Sequence, residues 1–153
     1  MKNPKEVNDF IHFASEPAVA YLAAFQMTPG DTGLSVVHYA RAGIKTGYLL
    51  YLGDILSLSL SDLSRLLHVS LRTLQRYGPD FILDADASSK VIQLNMLQTK
   101  GLEVFGHQQK FNQWLRHALP ELEGMAPLDV LDTPFGYQIV HQILGRIEHG
   151  IFA

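Results

Sequence analysis

The stretch from Leu58 to Tyr77, LSLSDLSRLLHVSLRTLQRY, constrains the fold more than any other part of the chain. Its leucines recur at helical spacing on both sides of a short turn at His68, which predicts two short helices that pack together. Ser61 and Ser70 are the predicted N-caps, because a serine hydroxyl accepts a hydrogen bond from a first-turn amide. The positions predicted to face inward are all apolar: Leu63, Leu66, Leu67, Val69, Leu71 and Leu74. The stretch therefore predicts a helix-turn-helix.

The second of these helices has side chains that suit DNA recognition. Its outward positions are polar or charged: Arg72, Thr73, Gln75 and Arg76. Arginine can donate two hydrogen bonds to guanine, glutamine pairs with adenine, and threonine contacts a phosphate or a thymine methyl group. Free amides at the Ser70 end of the helix can also bind a backbone phosphate. We predict that DNA is bound by Ser70, Arg72, Thr73, Gln75 and Arg76. The alternative is a solvated helix in an all-α protein.

The turn departs from the usual pattern at His68. Many helix-turn-helix units have glycine at this position, because the backbone must adopt a left-handed or near-bridge conformation that histidine tolerates less well. The sequence therefore leaves two uses open for the motif, DNA binding and dimerisation alone.

Most other segments also predict helix, and the sequence contains no convincing strand, repeat or low-complexity run. Helical spacing of apolar residues, capping residues and terminating glycines or prolines mark these segments. In chain order they are a segment opening at Asn3, Leu34–Gly43, Lys45–Leu56, about Ala87–Phe105 with Asp86 as cap, Phe111–Gly124 stopped before Pro120, a short turn at 126–132, and Thr133–Gly150 with Thr133 as cap and Pro134 as first residue. The predicted fold class is all-α.

The last predicted helix has a row of isoleucines at Ile139, Ile143 and Ile147, four residues apart, and Val140 and Leu144 widen it. This pattern predicts a buried face. Gly145 lies inside the same helix, where glycine costs about 1 kcal/mol relative to alanine. A close packing contact or a partner contact at Gly145 would explain why that cost is accepted.

Composition and missing motifs argue against several classes of protein. The chain has no cysteine, so thiolate metal sites and disulfides are excluded. The stretch GLEVFGHQ has P-loop spacing, but His107 stands where lysine is needed. The seven histidines form no metal-binding pair, and no nucleophile-elbow pattern is present. We therefore predict no enzymatic activity, no cofactor and no metal.

The N-terminus lacks the apolar run of a signal peptide, and no window is apolar enough to cross a membrane, so the predicted location is the cytoplasm. The net charge of -3 is unevenly spread. Residues 41–77 contain five basic and two acidic residues, whereas residues 118–153 contain one basic and five acidic residues. This asymmetry fits two different partners, although sampling in a short chain explains it equally well.

Three segments of the chain resemble the Xre–MbcA–ParS antitoxins, which pair with RES-domain toxins. The first, ARAGIKTGYLLYLGDILSLSLSDLSRLLHVSLRTLQR, has the family's glycine-containing turn, leucine-rich helix and recognition helix. The second is VFGHQQKFNQWLRHALPELEG. The third, APLDVLDTPFGYQIVHQILGRIEHGIFA, resembles the family's toxin-binding domain almost end to end. Together they cover residues 34–153.

The resemblance implies an all-α architecture in which an Xre-like helix-turn-helix part precedes a small helical toxin-binding domain. We expect an N-terminal helical extension at residues 1–33, a DNA-binding or dimerisation domain at residues 34–80 and a toxin-binding domain at residues 81–153. The boundary falls within residues 78–89.

The resemblance also implies the function of a type II antitoxin. Such a protein binds and covers the active site of a cognate RES-domain toxin, which depletes NAD. It forms a homodimer and represses its own operon by binding the operator DNA upstream. The toxin contact carries over to the end of this chain: Gly145, Arg146, Glu148, His149, Gly150, Ile151, Phe152 and Ala153.

Within that contact, Arg146 and Glu148 are expected to pair with charges at the rim of the toxin's nucleotide pocket, and Phe152 is expected to be an apolar anchor. The alternative function is a stand-alone helix-turn-helix regulator whose C-terminal domain dimerises or senses a ligand. A neighbouring gene that encodes a RES-type protein would favour the antitoxin.

Overall fold

The computed structural model describes residues 34–150 of the chain. In this range it contains eight α-helices and one 3-10 helix, and an isolated bridge between Lys45 and Ile82 is the β-type pairing present. The helices are α1 (Leu34–Ala42), α2 (Thr46–Ile55), α3 (Leu60–Leu67), α4 (Leu71–Arg76), α5 (Ala85–Phe105), α6 (Gln108–Leu115), the 3-10 helix Pro120–Leu122, α7 (Pro127–Val130) and α8 (Pro134–Glu148). The all-α prediction is confirmed. The predicted N-terminal extension and residues 151–153 lie outside the described residues.

Two predicted helix caps are wrong by two residues each. Ser59, rather than Ser61, caps α3: its hydroxyl accepts from the Asp62 amide at 3.0 Å, and the Asp62 carboxylate accepts from the Ser59 amide at 2.9 Å. This reciprocal pair needs an acidic residue three positions after the cap, a condition that Ser59 meets. At α5 the cap is Asp84 rather than Asp86, and its carboxylate accepts from the Ala87 amide at 2.8 Å.

The other predicted helix ends are confirmed at four points. The hydroxyl of Ser70 accepts from the Thr73 amide at 3.0 Å, and that of Thr133 accepts from the Gly136 amide at 3.0 Å. The backbone turns left-handed after α1 at Gly43, with φ 90°, and after α8 at Gly150, with φ 66°.

The helix predicted at Phe111–Gly124 begins earlier and is much shorter. Gly106 ends α5 in a left-handed conformation with φ 72°, so that α6 can begin two residues later at Gln108. After Leu115 the chain forms a loop, closed by hydrogen bonds of 3.0 Å from the Gly124 amide to the Leu119 carbonyl and from the Leu119 amide to the Met125 carbonyl. Pro120 does not end α6; it begins the 3-10 helix, where its missing N–H is not needed.

Helix α5 lies at the centre of the hydrophobic core. At its first turns, the Ser88 hydroxyl accepts from the Ile44 amide at 2.9 Å. Two turns further along the same face, Asn95 accepts from the buried Tyr48 hydroxyl at 2.6 Å. Burial raises the pKa of Tyr48, and nearby Tyr51 raises it further, so the phenol stays a neutral donor. These contacts fix α5 against the turn before α2 and against α2 itself.

The other end of α5 packs on the C-terminal helices. Gly101 lies directly under the ring of Phe111 on α6, and a Cβ atom at Gly101 would sit 2.3 Å from that ring. Helix α8 also packs on α5, through the fully buried side chains of Val140 and Leu144. One continuous core therefore joins the helix-turn-helix to the C-terminal helices.

Two residues predicted to be buried are exposed. Leu71 is 40% exposed because it is the first residue of α4 and lies beside the turn, whereas Leu74 one turn later is buried. Ile139 is 45% exposed because the buried face of α8 is rotated toward Val140, Ile143 and Leu144. The predicted isoleucine row is therefore wrong at Ile139.

Two glycines of α8 offer a matched test of this packing. A Cβ atom at Gly136 would lie 1.7 Å from the Val130 carbonyl oxygen, whereas one at Gly145 would meet nothing within 4 Å. Close packing among the described residues is therefore not the reason for glycine at position 145. We expect Gly136→Ala to lower the free energy of unfolding by about 1–3 kcal/mol or more, and Gly145→Ala to raise it by up to about 1 kcal/mol. Urea unfolding followed by circular dichroism measures both. Equal stabilities would contradict the packing of α8 on Val130.

Candidate DNA-binding and partner-binding surfaces

The turn between α3 and α4 is built around a left-handed histidine. His68 has φ 55° and ψ 37°, as the sequence predicted, and its amide donates to the carbonyl groups at the end of α3. Its Nε2 atom lies 2.6 Å from the Asp132 carbonyl oxygen. Since a carbonyl oxygen can only accept, the Nε2 atom of His68 must hold the proton in this contact. The hydrogen bond helps to offset the cost of the left-handed backbone.

Helix α4 exposes the side chains that were predicted to contact DNA. Arg72, Gln75 and Arg76 are exposed, while buried Leu74 fixes the helix to the core. The two arginines make no hydrogen bond or ion pair with any residue in the range 34–150.

The two hydroxyl groups predicted to contact DNA are already engaged with each other. Ser70 Oγ and Thr73 Oγ1 are 2.7 Å apart, and the Thr73 amide donates to Ser70 Oγ. Thr73 is also half-buried. Ser70 and Thr73 thus stabilise the first turn of α4. Only the hydroxyl lone pairs or proton that these hydrogen bonds do not use are available to a phosphate.

Side chains of the helix-turn-helix part (α1 to α4) donate to backbone carbonyls of the C-terminal helices (α6 to α8), and side chains of the C-terminal helices donate to carbonyls of the helix-turn-helix part. On α3, Arg65 donates to the carbonyls of Leu128 at 2.9 Å and Asp129 at 3.4 Å. On α6, Asn112 donates to the Ile55 carbonyl at 2.8 Å. These acceptors lie at the C-terminal ends of α7 and α2, where helices leave carbonyl groups without intrahelical partners.

Arg116 adds to the same set of contacts by donating to the carbonyls of Leu56 and Ser57 just after α2. The sequence analysis missed Arg65, Asn112 and Arg116. The carbonyl groups to which they donate are 57 to 64 residues away along the chain, so no local pattern marks these contacts.

The predicted toxin-binding residues that the structure describes lie at the end of α8, on a different helix from the predicted DNA-binding residues. Arg146, Glu148, His149 and Gly150 are exposed, and Gly145 is half-buried. Ile151, Phe152 and Ala153 lie outside the described residues.

Glu148 is held by a residue that the sequence analysis did not identify. Lys100 Nζ on α5 donates to Glu148 Oε2 at 2.5 Å, and the two residues are 48 positions apart. The hydrogen bond from Lys100 lowers the pKa of Glu148 below its ordinary value, and the charges of Lys100, His149 and His141 lower it further. Arg146, in contrast, makes no hydrogen bond or ion pair with the residues described.

Residues 34–150 contain no group of three or more acidic or histidine side chains placed to hold a metal ion. None of the helices described is both long enough and apolar enough to cross a membrane.

The exposed arginines of α4 lead to a prediction for DNA binding. We expect Arg72→Ala and Arg76→Ala each to weaken binding to the DNA upstream of the gene by about 1–3 kcal/mol, because each removes a guanidinium group that can contact a base or a phosphate. Gel shifts at fixed salt concentration measure this. Lys110→Ala, which removes an exposed cation from α6, is the control. Unchanged binding by the Arg72→Ala, Arg76→Ala double variant would contradict the assignment.

The left-handed turn leads to a prediction for stability. His68→Ala and His68→Gly both lose the hydrogen bond to the Asp132 carbonyl, but only alanine retains the steric cost of the left-handed backbone. We therefore expect the glycine variant to be more stable than the alanine variant by about 1–2 kcal/mol. Urea unfolding of the two variants measures the difference. An alanine variant as stable as the glycine variant would show that the turn does not require φ above zero.

Comparison with known proteins divides the chain into two antitoxin domains. Residues 35–96 match the antitoxin Xre-like helix-turn-helix domain, and residues 100–150 match the antitoxin Xre/MbcA/ParS C-terminal toxin-binding domain. The first match contains all but the first residue of α1, all of α2 to α4 and much of α5, and the second contains the end of α5 and all of α6 to α8.

Two curated relatives agree with these matches. The chain is 41% identical over 49 residues to the Prs ADP-ribosylating antitoxin of Sphingobium sp.. The aligned region covers 32% of this chain and 31% of that protein. It is 32% identical over 68 residues to antitoxin Xre of Photorhabdus laumondii subsp. laumondii. This aligned region covers 44% of this chain and 46% of that protein. The matches thus span less than half the length of either relative. The chain belongs to the Xre/MbcA/ParS family of antitoxins, with an Xre-like helix-turn-helix domain followed by a C-terminal toxin-binding domain.

Proposed function

We propose that this protein is a type II antitoxin that neutralises a RES-domain toxin encoded beside it and represses its own operon through α3 and α4. The observation that carries the proposal is the match of residues 100–150 to a toxin-binding domain whose last helix ends in exposed, charged residues. The toxin is the enzyme of the pair and depletes NAD. The antitoxin acts by binding alone and needs no cofactor.

Neutralisation would proceed by occlusion of the toxin's active site. Val140, Ile143 and Leu144 are buried, so they hold α8 rigidly on the core. The exposed end of the helix and the tail Ile151–Ala153 would then cover the mouth of the nucleotide pocket, with Phe152 as an apolar anchor. A contact built on a rigid helix loses less conformational freedom on binding than one built on a free peptide.

Repression would use a homodimer. Two copies related by a twofold axis can place two α4 helices in successive major grooves, about 34 Å apart. In each copy Arg72, Gln75 and Arg76 would contact base edges. Ser70 and Thr73, at the start of the helix, would contact the phosphate backbone.

The second candidate function is a stand-alone transcription regulator whose C-terminal part senses a ligand. The observation in its favour is a narrow cleft where α2, α3 and α5 meet Leu131 and Tyr137. The Tyr137 hydroxyl is buried there and makes no hydrogen bond with the residues described. Burial raises its pKa to about 12, so the hydroxyl stays neutral.

The decisive experiment is co-expression with the neighbouring gene product in a host that lacks both genes. The toxin alone should arrest growth and lower cellular NAD, and the antitoxin should restore both and co-purify with the toxin. Specific DNA binding without any effect on the toxin would instead favour the stand-alone regulator.

The tail provides a separable test. We expect deletion of Ile151–Ala153 to weaken neutralisation while thermal unfolding and DNA binding stay unchanged, because the deletion removes the proposed anchor and leaves residues 34–150 intact. The Arg72→Ala, Arg76→Ala double variant is the reciprocal control and should lose DNA binding but still neutralise. Full growth rescue by the truncated protein would show that the tail is not part of the contact.

A further inference from the structure

The exposed face of α8 has an unusual composition for a helix in solvent. Four exposed residues follow one another at spacings of four, three and four, so they form a single stripe along the helix. The stripe consists of Phe135, Ile139, Gln142 and Arg146. Phe135 is 77% exposed and Ile139 is 45% exposed, and neither belongs to the core cluster.

The electrostatics of this face differ from those of the sequence around it. Residues 118–153 have four more acidic than basic residues, but every one of the acids except Glu148 lies between positions 121 and 132, before α8 begins. Within α8 the carboxylate is Glu148, and the basic side chains are Arg146 and His141.

Lys100 neutralises the charge of Glu148 through an ion pair. The ion pair at 2.5 Å compensates the carboxylate from within the chain, and the second basic neighbour, His149, has its Nε2 atom 3.9 Å away. The side chain of Lys100 is 22% exposed, so it lies along the surface of α5 before it reaches the exposed Glu148 carboxylate. Among residues 34–150, Arg146 is consequently the charged side chain at the end of α8 that has no ion-pair partner.

We infer that the α8 stripe is the main contact surface for the toxin, and that the toxin meets it with an apolar depression for Phe135 and Ile139 and with a carboxylate for Arg146. This inference rests on the proposed function and extends the contact by about three helical turns toward the start of α8. In it, Glu148 does not touch the toxin. Lys100 and Glu148 are positioning residues that fix the last turn, from which the tail continues.

The composition of the stripe favours a protein over a nucleic acid as its partner. A phosphate backbone is bound through several cations at once, whereas this stripe offers one arginine beside two apolar side chains and an amide. Exposed aromatic and arginine side chains that lie together are typical of the residues that dominate protein–protein binding energy.

The test measures the dissociation constant of the full-length chain for the RES-domain protein encoded beside it, by calorimetry. Phe135→Ala and Arg146→Glu should each raise the dissociation constant by about tenfold or more. Met125→Ala, which truncates an exposed apolar residue in the loop after the 3-10 helix, is the matched control and should bind as the unaltered chain does.

A charge exchange tests the role of Glu148. Glu148→Lys places two cations together and should weaken binding, whereas the Lys100→Glu, Glu148→Lys double variant restores an ion pair and should recover binding to within about threefold of the unaltered chain. A double variant as weak as Glu148→Lys alone would mean that Glu148 contacts the toxin, and it would overturn that part of the inference.

The remaining outcomes separate the inference from the proposed function. If the unaltered chain binds the toxin and both stripe variants bind equally well, the stripe inference is wrong and the antitoxin function stands. If Phe135→Ala turns a homodimer into a monomer without changing toxin affinity, the stripe belongs to a second copy of this chain, and the inference is again wrong. If the unaltered chain does not bind the toxin at all, both are overturned.

Discussion

The packing of other helices around α5 is the constraint on which the rest of the structure depends. This helix of 21 residues is about 31 Å long, enough to run through most of a small domain. It is joined to the helix-turn-helix part through Ser88 in its first turn and Asn95 at its middle, and near its end Gly101 lets Phe111 pack directly on its backbone. The helix-turn-helix and the C-terminal helices therefore share one core and have a fixed relative orientation.

A second layer of contacts reinforces that orientation from the surface. Arg65, Asn112 and Arg116 each donate to carbonyls at helix ends in the opposite half of the molecule, and His68 does the same from the turn. Such carbonyls would otherwise depend on water. Because these contacts are partly exposed, each is worth less than a buried charged hydrogen bond, and their effect is to fix alignment more than to add stability.

Local patterns in the sequence predicted much of this structure, and the two wrong helix caps have one cause. The helix-turn-helix, the caps at Ser70 and Thr133 and the left-handed His68 follow from interactions within a few residues, which spacing reveals. The errors at Ser61 and Asp86 arose because a second capping residue stood two positions earlier in each case. For α3, the acidic Asp62 three positions after Ser59 marks the correct cap in the sequence. For α5, neither Asp84 nor Asp86 has such a residue, so the sequence could not decide between them.

Features that depend on distant parts of the chain were not predictable in the same way. The exposure of Ile139 depends on how α8 is rotated on α5, and the isoleucine spacing does not contain that angle. The pairing of Lys100 with Glu148 joins two helices across 48 positions. This pairing changes the interpretation of the candidate site most, because among the described residues it leaves Arg146 as the charge without a partner at the end of α8.

We propose two binding functions at separate surfaces of one core, DNA binding at α4 and toxin binding at the exposed face of α8. Hydrogen–deuterium exchange of the full chain, alone and with each partner, tests this most directly. Operator DNA should slow exchange in residues 70–77 and leave residues 142–150 unchanged, and the toxin should produce the opposite pattern. Slowed exchange in residues 70–77 on adding the toxin, with none in residues 142–150, would contradict the account.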